Sequence, residues 1–549
     1  MPRRGSLLIT FVAALFLGSC LRGGQPEVSH QKLFEGLGAH QHPVTTHSGL
    51  TQRYFDQGLI LTFGFNHDAA VRSFEEAARI DPSCAMCFWG VAYALGPNIN
   101  APMGPEAAQQ ALTAVRRAES LASGASAAEQ DYIRALATRY SDDPAASAAT
   151  RATLDRAYAD AMAELHRKHP DDVDAATLYA EALMDLRPWQ LYSLDGKPAP
   201  ETPEIERLLE FAMERDPQHP GANHYYIHAV EASHTPDRAL PAADRLQDVA
   251  PDAGHLVHMP SHIYWRVGMY DRAEDINKRA AAADEAYFAW CGARGIYAAA
   301  YYPHNIHFLW AAASEGGSSG LALMSARKLE SQVPDSLVAS FPFAEQFKPI
   351  PIQTLARFGQ WDAVLGEPAP PGSQRYSRGV WHFARGMALL RKGDTRGART
   401  ELSALEAIAG ADDMAAQDLT GEPASRYLAL ARAQLAGELA AATGDPNTAV
   451  RYLEAGIAVQ DSMVYTEPPR WHMSLRQSLG AILLEADRPA EAEAVYREDL
   501  RRYPNTGWSL FGLAQSLRAQ GREAEAELVE KGFEKAWERS DVTLTASRF

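Results

Sequence analysis

DRPAEAEAVYREDLRRYP, running from Asp487 to Pro504, is the stretch whose reading decides the fold. Ala492 stands twelve residues after Gly480 and twelve before Pro504, and the spacing returns 34 residues later as Ala514 and Ala526. Upstream it recurs as Gly58 with Ala70, Gly268 with Ala280, Gly386 with Ala398 and Gly437 with Ala449. Prolines close several units, as in Ala70 to Pro82, Ala239 to Pro251 and Ala322 to Pro334. Two antiparallel helices account for this period. Small residues are expected where paired backbones cross closely, and proline stops the second helix. Strand signals are almost absent.

FNHDAAVRSFEEAARIDP (Phe65 to Pro82) and the opening stretch resemble the tetratricopeptide repeat (TPR), and the resemblance extends over roughly Thr51 to Arg539. It implies an all-α, TPR-like superhelix of antiparallel helix pairs in two sub-arrays. We expect a signal at 1–19, a linker at 20–50 and a histidine-bearing array at 51–340. An irregular connection at 341–374, a more regular array at 375–540 and a tail at 541–549 follow. Inserts around Pro97 to Pro105 and Arg187 to Pro203 depart from the repeat, and EPAPPGS (Glu367 to Ser373) reads as a loop.

The first residues read as an export leader. Arg3 and Arg4 precede an apolar run from Leu7 to Gly18, too short to span a bilayer. It ends in Leu17-Gly18-Ser19-Cys20, which resembles the bacterial lipobox and implies lipid on Cys20. Leu21 follows, so there is no aspartate signal for inner-membrane retention. The expectation is a lipoprotein of the cell envelope, facing the periplasm or exterior. A formal charge of −17 argues against nucleic acid, because phosphate binding needs basic side chains.

Seven of the 18 histidines fall in one region: His224, His228, His255, His258, His262, His304 and His307. In the TPR family the first helix of each pair lines the concave surface, with the second, fifth, ninth and twelfth positions facing ligand. Phased from the alanine and proline marks, His224, His228 and Glu231 take positions five, nine and twelve. His262 and Trp265 take two and five, as do His304 and His307, while Glu181 takes nine one repeat earlier. The spacing of His224 and His228, and of His304 and His307, also puts each pair on one helix face. Pro260 is expected to start a helix between His258 and His262, turning those two apart.

Such nitrogen-rich ligands suit zinc, copper or iron. The expected metal ligands are His224, His228, His262, His304 and His307, with His255 and His258 less direct. Glu181 or Glu231 would serve as a base or an extra ligand. The alternative keeps the histidines as groove or core residues, satisfying the hydroxyls of tyrosines such as Tyr225 and Tyr301. Arg187 and Trp189, in the insert, are candidate groove contacts with Trp265. Cys84 and Cys87 form a C-x-x-C suited to a local disulfide outside the cytoplasm. No phosphate loop, nucleophile elbow or H-E-x-x-H pair is present. The expected role is a binding scaffold for a protein, peptide or small molecule, with a metal-dependent enzyme or a metal carrier as alternatives.

Overall fold

The computed structural model describes residues 31–291 and 295–549. The leader, Cys20 and the start of the linker lie outside the described residues. Among the described residues no helix is long and apolar enough to cross a membrane. Extended pairing is limited there to three isolated bridges, such as Tyr192 with Pro198 inside the second insert.

The chain divides into two compact units. The first holds the described residues up to Ile263 together with Lys278–Tyr302, and the second holds Tyr264–Asn277 with Pro303–Phe549. In the first, Gly49–Phe63 pairs with His67–Ile80, Ala85–Ala94 with Pro105–Leu121, and Val173–Met184 with Thr202–Arg215. In the second, Arg375–Arg391 pairs with Thr395–Ala409, Ala424–Ala442 with Pro446–Asp461, Leu475–Glu485 with Pro489–Arg502, and Gly507–Ala519 with Glu523–Ala536. Each unit is a TPR-like run of helix pairs. The stretch expected to be an irregular connection belongs to the second unit and is mostly helical, including Ile350–Arg357 and Trp361–Gly366. Pro349, Pro351 and Gly359 (φ +66°) interrupt it, so neither helix is long enough to display a period.

Several glycines of the repeat do a different job from the one their spacing implied. A Cβ on Gly58 would stand 2.7 Å from the Phe74 ring, and one on Gly90 would be closer still. Phe74 therefore fills a slot between two glycines, each sixteen residues away in sequence. Tyr496 repeats the arrangement between Gly480 and Gly512. What approaches each of these four glycines is an aromatic ring, whereas Gly386 and Gly437 receive leucine side chains and Gly268 the Pro504 backbone carbonyl. The missing side chain makes a socket, and the ring locks three successive helices together.

Before the first helix, residues 31–48 lie as a strap over the first unit. Three imidazoles meet the buried Asp174 carboxylate: His40 Nε2 at 3.1 Å, His42 Nδ1 at 2.8 Å and His219 Nε2 at 3.0 Å. Further along, the Thr45 amide donates to Glu129 and the Thr46 hydroxyl to Asp81. Burial by itself would lower the His40 pKa, but hydrogen bonds to Asp174 and Asp216 overturn this and raise it from 6.5 to about 9. Burial would raise Asp174, yet its histidine partners hold it well below the usual carboxylate range.

The strap's stability follows from these two shifts. The raised His40 contributes fully below pH 6.5 and loses its contribution as pH rises through about 9. That contribution is on the order of 3 kcal/mol. The depressed Asp174 contributes above its ordinary pKa and is lost only in strong acid. Limited proteolysis within 31–48 is therefore expected to be slow at pH 6 and fast at pH 10. In His40→Ala the strap should already be cut at pH 6; resistance unchanged in that variant contradicts the assignment.

Candidate metal centre

His224 and His228 lie one turn apart on the helix Pro220–Glu231, which starts with proline at its first position and His219 as its cap. His224 Nδ1 donates to the carbonyl of Phe63 at 2.5 Å, one of the acceptors left open at the end of Gly49–Phe63. His228 Nδ1 donates to Glu231 Oε1 at 2.7 Å. A neutral imidazole carries one proton, so both rings keep a lone pair on Nε2. Both Nε2 atoms are buried and have no hydrogen-bond partner. One ring nitrogen from each of His224, His228 and His255 lies within 4.8 Å of the others. Two oriented lone pairs beside a third imidazole, in a buried space, are a group that could hold a metal ion.

His255 enters on the short helix Gly254–His258. Its backbone amide donates to the Tyr297 hydroxyl at 3.0 Å, which in turn donates to the buried Asp284 at 2.8 Å. Any Cβ on Gly254 would collide with that Asp284 carboxylate, which explains glycine there. Tyr297 and Tyr301 bound a π-helical turn, and the Tyr301 ring stands 4.8 Å from that of His255. Asn100 donates to the Tyr301 hydroxyl at 3.2 Å.

Two strained residues enclose the imidazoles. Phe65, in the first interhelical turn, takes φ +55° and sets its ring 4.6 Å from His224, 5.5 Å from His255 and 6.0 Å from His228. Trp189, in the insert, takes φ +60° and meets the His228 ring edge-on at 5.2 Å. A bulky side chain in the left-handed region costs on the order of 1–2 kcal/mol. The packing holds both against that cost, and both serve to wall off the histidines. Sequence reasoning named Trp189 as a groove contact, not as a wall against His228, and missed Phe65; only its place in a tight turn after Gly64 hinted at it.

Glu231 binds a second ring, accepting from His262 Nδ1 through Oε2 at 2.9 Å. Pro260 does start a helix, Pro260–Arg266, but it does not turn His258 away from His262. Their Nε2 atoms stand 2.8 Å apart. One carboxylate thus orients His228 and, through His262, His258. Burial lowers the pKa of His224 well below the ordinary value, with His228 adding to the effect. It also lowers His228, against the pull of Glu231. Both rings are neutral near pH 7 and able to ligate.

A second group, His40, Asp174 and His219, is equally compact. Its protons argue against an ion. His219 Nδ1 accepts the Ala222 amide at 3.1 Å, so Nε2 must carry the hydrogen that it gives to Asp174. That group is the strap's anchor.

The remaining expected residues are placed as follows. Glu181 is buried beside Asp185 and Arg139, where burial raises both carboxyls against the arginine. Arg187 is exposed and paired with Glu201 at 2.7 Å. Cys84 and Cys87 are joined as a disulfide at the start of Ala85–Ala94. Trp265 belongs to the second unit, buried against Tyr270 and Tyr503, a core position and not a groove wall. His304 and His307 also belong to the second unit, on the helix Tyr302–Gly316. His307 stacks on Trp310, and Arg470 Nη1 stands 3.3 Å from its Nδ1. A guanidinium on the ring nitrogen sets His307 apart from His224 and His228, whose Nε2 atoms have no partner.

No family model matches the chain, and no curated protein matches it. Among solved structures, the human IFIT1 dimer with m7Gppp-AAAA is similar at 11% identity over 90% of this chain and 91% of that one, with a TM-score of 0.33. Yeast Tom70 matches at 11% identity over 88% and 89%, with a TM-score of 0.27. The TPR domain of P58(IPK) matches at 11% over 86% and 98%, with a TM-score of 0.22. Superpositions this loose carry no argument, and the helix-pair architecture rests on the packing within each unit.

Proposed function

We propose that this chain is an extracytoplasmic binding scaffold, tethered to a membrane through lipid on Cys20. Its first unit would carry one transition-metal ion on His224, His228 and His255. The scaffold role rests on the TPR-like helix pairs and is fold-level analogy. It takes a protein, peptide or small molecule on its inner helices, and the acidic balance disfavours nucleic acid. The tether rests on the sequence around Cys20 alone.

The metal reading is carried by one observation: two buried Nε2 lone pairs, without partners, beside a third imidazole. Three nitrogen ligands suit zinc, copper or iron. They leave a coordination position for water or a ligand, which supports a metal-dependent enzyme as the second reading. Protein purified without a polyhistidine tag is expected to contain one equivalent of metal per chain by elemental mass spectrometry. Stripping it with a chelator should lower the melting temperature by roughly 10 °C, as for a ligand present at about a thousand times its dissociation constant. Failure to take up zinc, copper or iron, with unchanged melting, would leave a scaffold with structural histidines.

A further inference from the structure

We infer that the second unit carries a receptor groove for an extended peptide in which an arginine precedes an aromatic residue, and that residues 544–549 are its resident occupant. The inference rests on the scaffold reading, for which it names the groove and the class of peptide. The resident segment touches the first helix of every pair between Arg375 and Ala536. The Ser547 hydroxyl donates to the Gln477 carbonyl at 2.7 Å and lies 2.8 Å from the Tyr496 hydroxyl. Gln515 donates to the Thr545 carbonyl at 3.4 Å, and Arg391 Nε to the Phe549 backbone oxygen at 3.0 Å. The Phe549 ring meets Trp508 edge-on at 5.7 Å, and a Cβ on Gly359 would stand 2.8 Å from the Phe549 Cβ.

Arginine is the residue that the groove selects. Arg548 Nη2 donates to the Glu485 carboxylate at 3.1 Å, and its Nε stands 2.8 Å from Oε1 of Glu438. Glu438 is buried, and its Oε2 accepts from Arg391 at 2.8 Å. Burial would raise that carboxyl, but Arg548 and Arg391 hold it below its ordinary value. One guanidinium thus bridges two carboxylates. An acidic segment is repelled there, and the single ammonium of lysine lacks the fork that serves two acceptors at once.

The segment holds its place without filling it. Between Asp541 and Phe549 only Leu544 and Ser547 are buried, and no helical turn forms. A cavity bordered by Arg548 and Phe549 remains, lined also by Arg357, Phe383, Met387 and Gln434. Arg357 and Gln434 each leave a buried polar atom without a hydrogen-bond partner, Nε and Oε1. Elements of a core pack to crystal-like density and leave few such gaps. Ion pairs, one aromatic edge and side-chain hydrogen bonds are contacts that a second peptide reproduces. The resident segment and a partner's peptide therefore compete for one groove, and every residue of it lies in the second unit.

Fluorescence anisotropy of a labelled TLTASRF peptide, the sequence of Thr543 to Phe549, added to the full chain tests it. Arg548→Ala combined with Phe549→Ala should free the groove and bind the peptide about a hundredfold more tightly than the parent does. That factor follows from a tethered competitor at an effective concentration of about 1 mM and an affinity of about 10 μM. The peptide with glutamine for arginine should bind the freed groove about thirtyfold more weakly. Glu438→Gln in the freed chain should weaken the original peptide by about tenfold. If circular dichroism shows that the double variant does not fold, Arg548→Gln takes its place and should still gain about tenfold. The proposal is overturned if both variants unfold, which would make the segment part of the core, or if a folded one binds no better than the parent. Binding indifferent to the peptide's arginine overturns this occupant while keeping a peptide groove for the scaffold; no binding by the freed chain removes the groove itself.

Discussion

Replacing His224 and His228 together by alanine is expected to abolish metal uptake at any concentration where the parent chain binds one equivalent. Metal binding to four-ligand structural zinc sites is worth about 10–16 kcal/mol. Each ligand therefore carries about 3 kcal/mol, or roughly a hundredfold in affinity. The double substitution should weaken binding by about ten thousandfold, and either single one by about a hundredfold. Glu231→Gln keeps the shape of the side chain but removes the charge that polarises His228 and orients His262. It should cost about 10- to 100-fold, the usual weight of an outer-shell partner. His307→Ala should leave uptake unchanged, because its ring nitrogen faces a guanidinium. Competition titration against a chromophoric chelator separates these cases. Uptake that persists in the double variant, or that falls with His307→Ala, would place the ion elsewhere.

The second large effect concerns the fold. Tyr496→Ala empties the socket between Gly480 and Gly512. Burying a large aromatic ring and then deleting it typically costs about 3–5 kcal/mol, the transfer energy plus the cavity left behind. Spread over a unit of this size, that is roughly 10 °C or more in melting temperature. Tyr496→Phe keeps the ring and loses only the 2.8 Å hydrogen bond between the hydroxyl and the buried Ser547, so it should cost about 1 kcal/mol. The contrast between the two variants is the test, read by thermal or urea denaturation. Equal losses would mean that the hydroxyl, and not the filled socket, holds the helices together.

Those sockets show how far the sequence can be read. Helix pairs were legible because small residues and prolines recur at fixed offsets, and packing requires them to. The partner of each glycine was not legible: a period marks where space is needed, and the group that fills it, the Phe74 or Tyr496 ring or a leucine such as Leu453, comes from elsewhere in the chain. The histidines behaved in the same way. His224 and His228 were recognisable because an i, i+4 pair shares a helix face whatever the rest of the molecule does. Glu231 was visible as a carboxylate at the end of that same face. His255 carried a weaker expectation, because its short helix breaks the repeat and its position depends on Tyr297 and Asp284, 42 and 29 residues away. Phe65 stayed hidden, since nothing in a sequence announces that an aromatic residue will be held at φ +55°. The strap was missed altogether. His40 and His42 have no periodic context, and only Asp174 gives them meaning.

The most direct test is anomalous X-ray diffraction at the absorption edge of whichever metal the untagged protein carries. The predicted result is a single strong peak about 2.0–2.1 Å from Nε2 of His224 and of His228 and from a ring nitrogen of His255. A peak at Asp174, or none near those three imidazoles in metal-loaded crystals, would contradict the assignment.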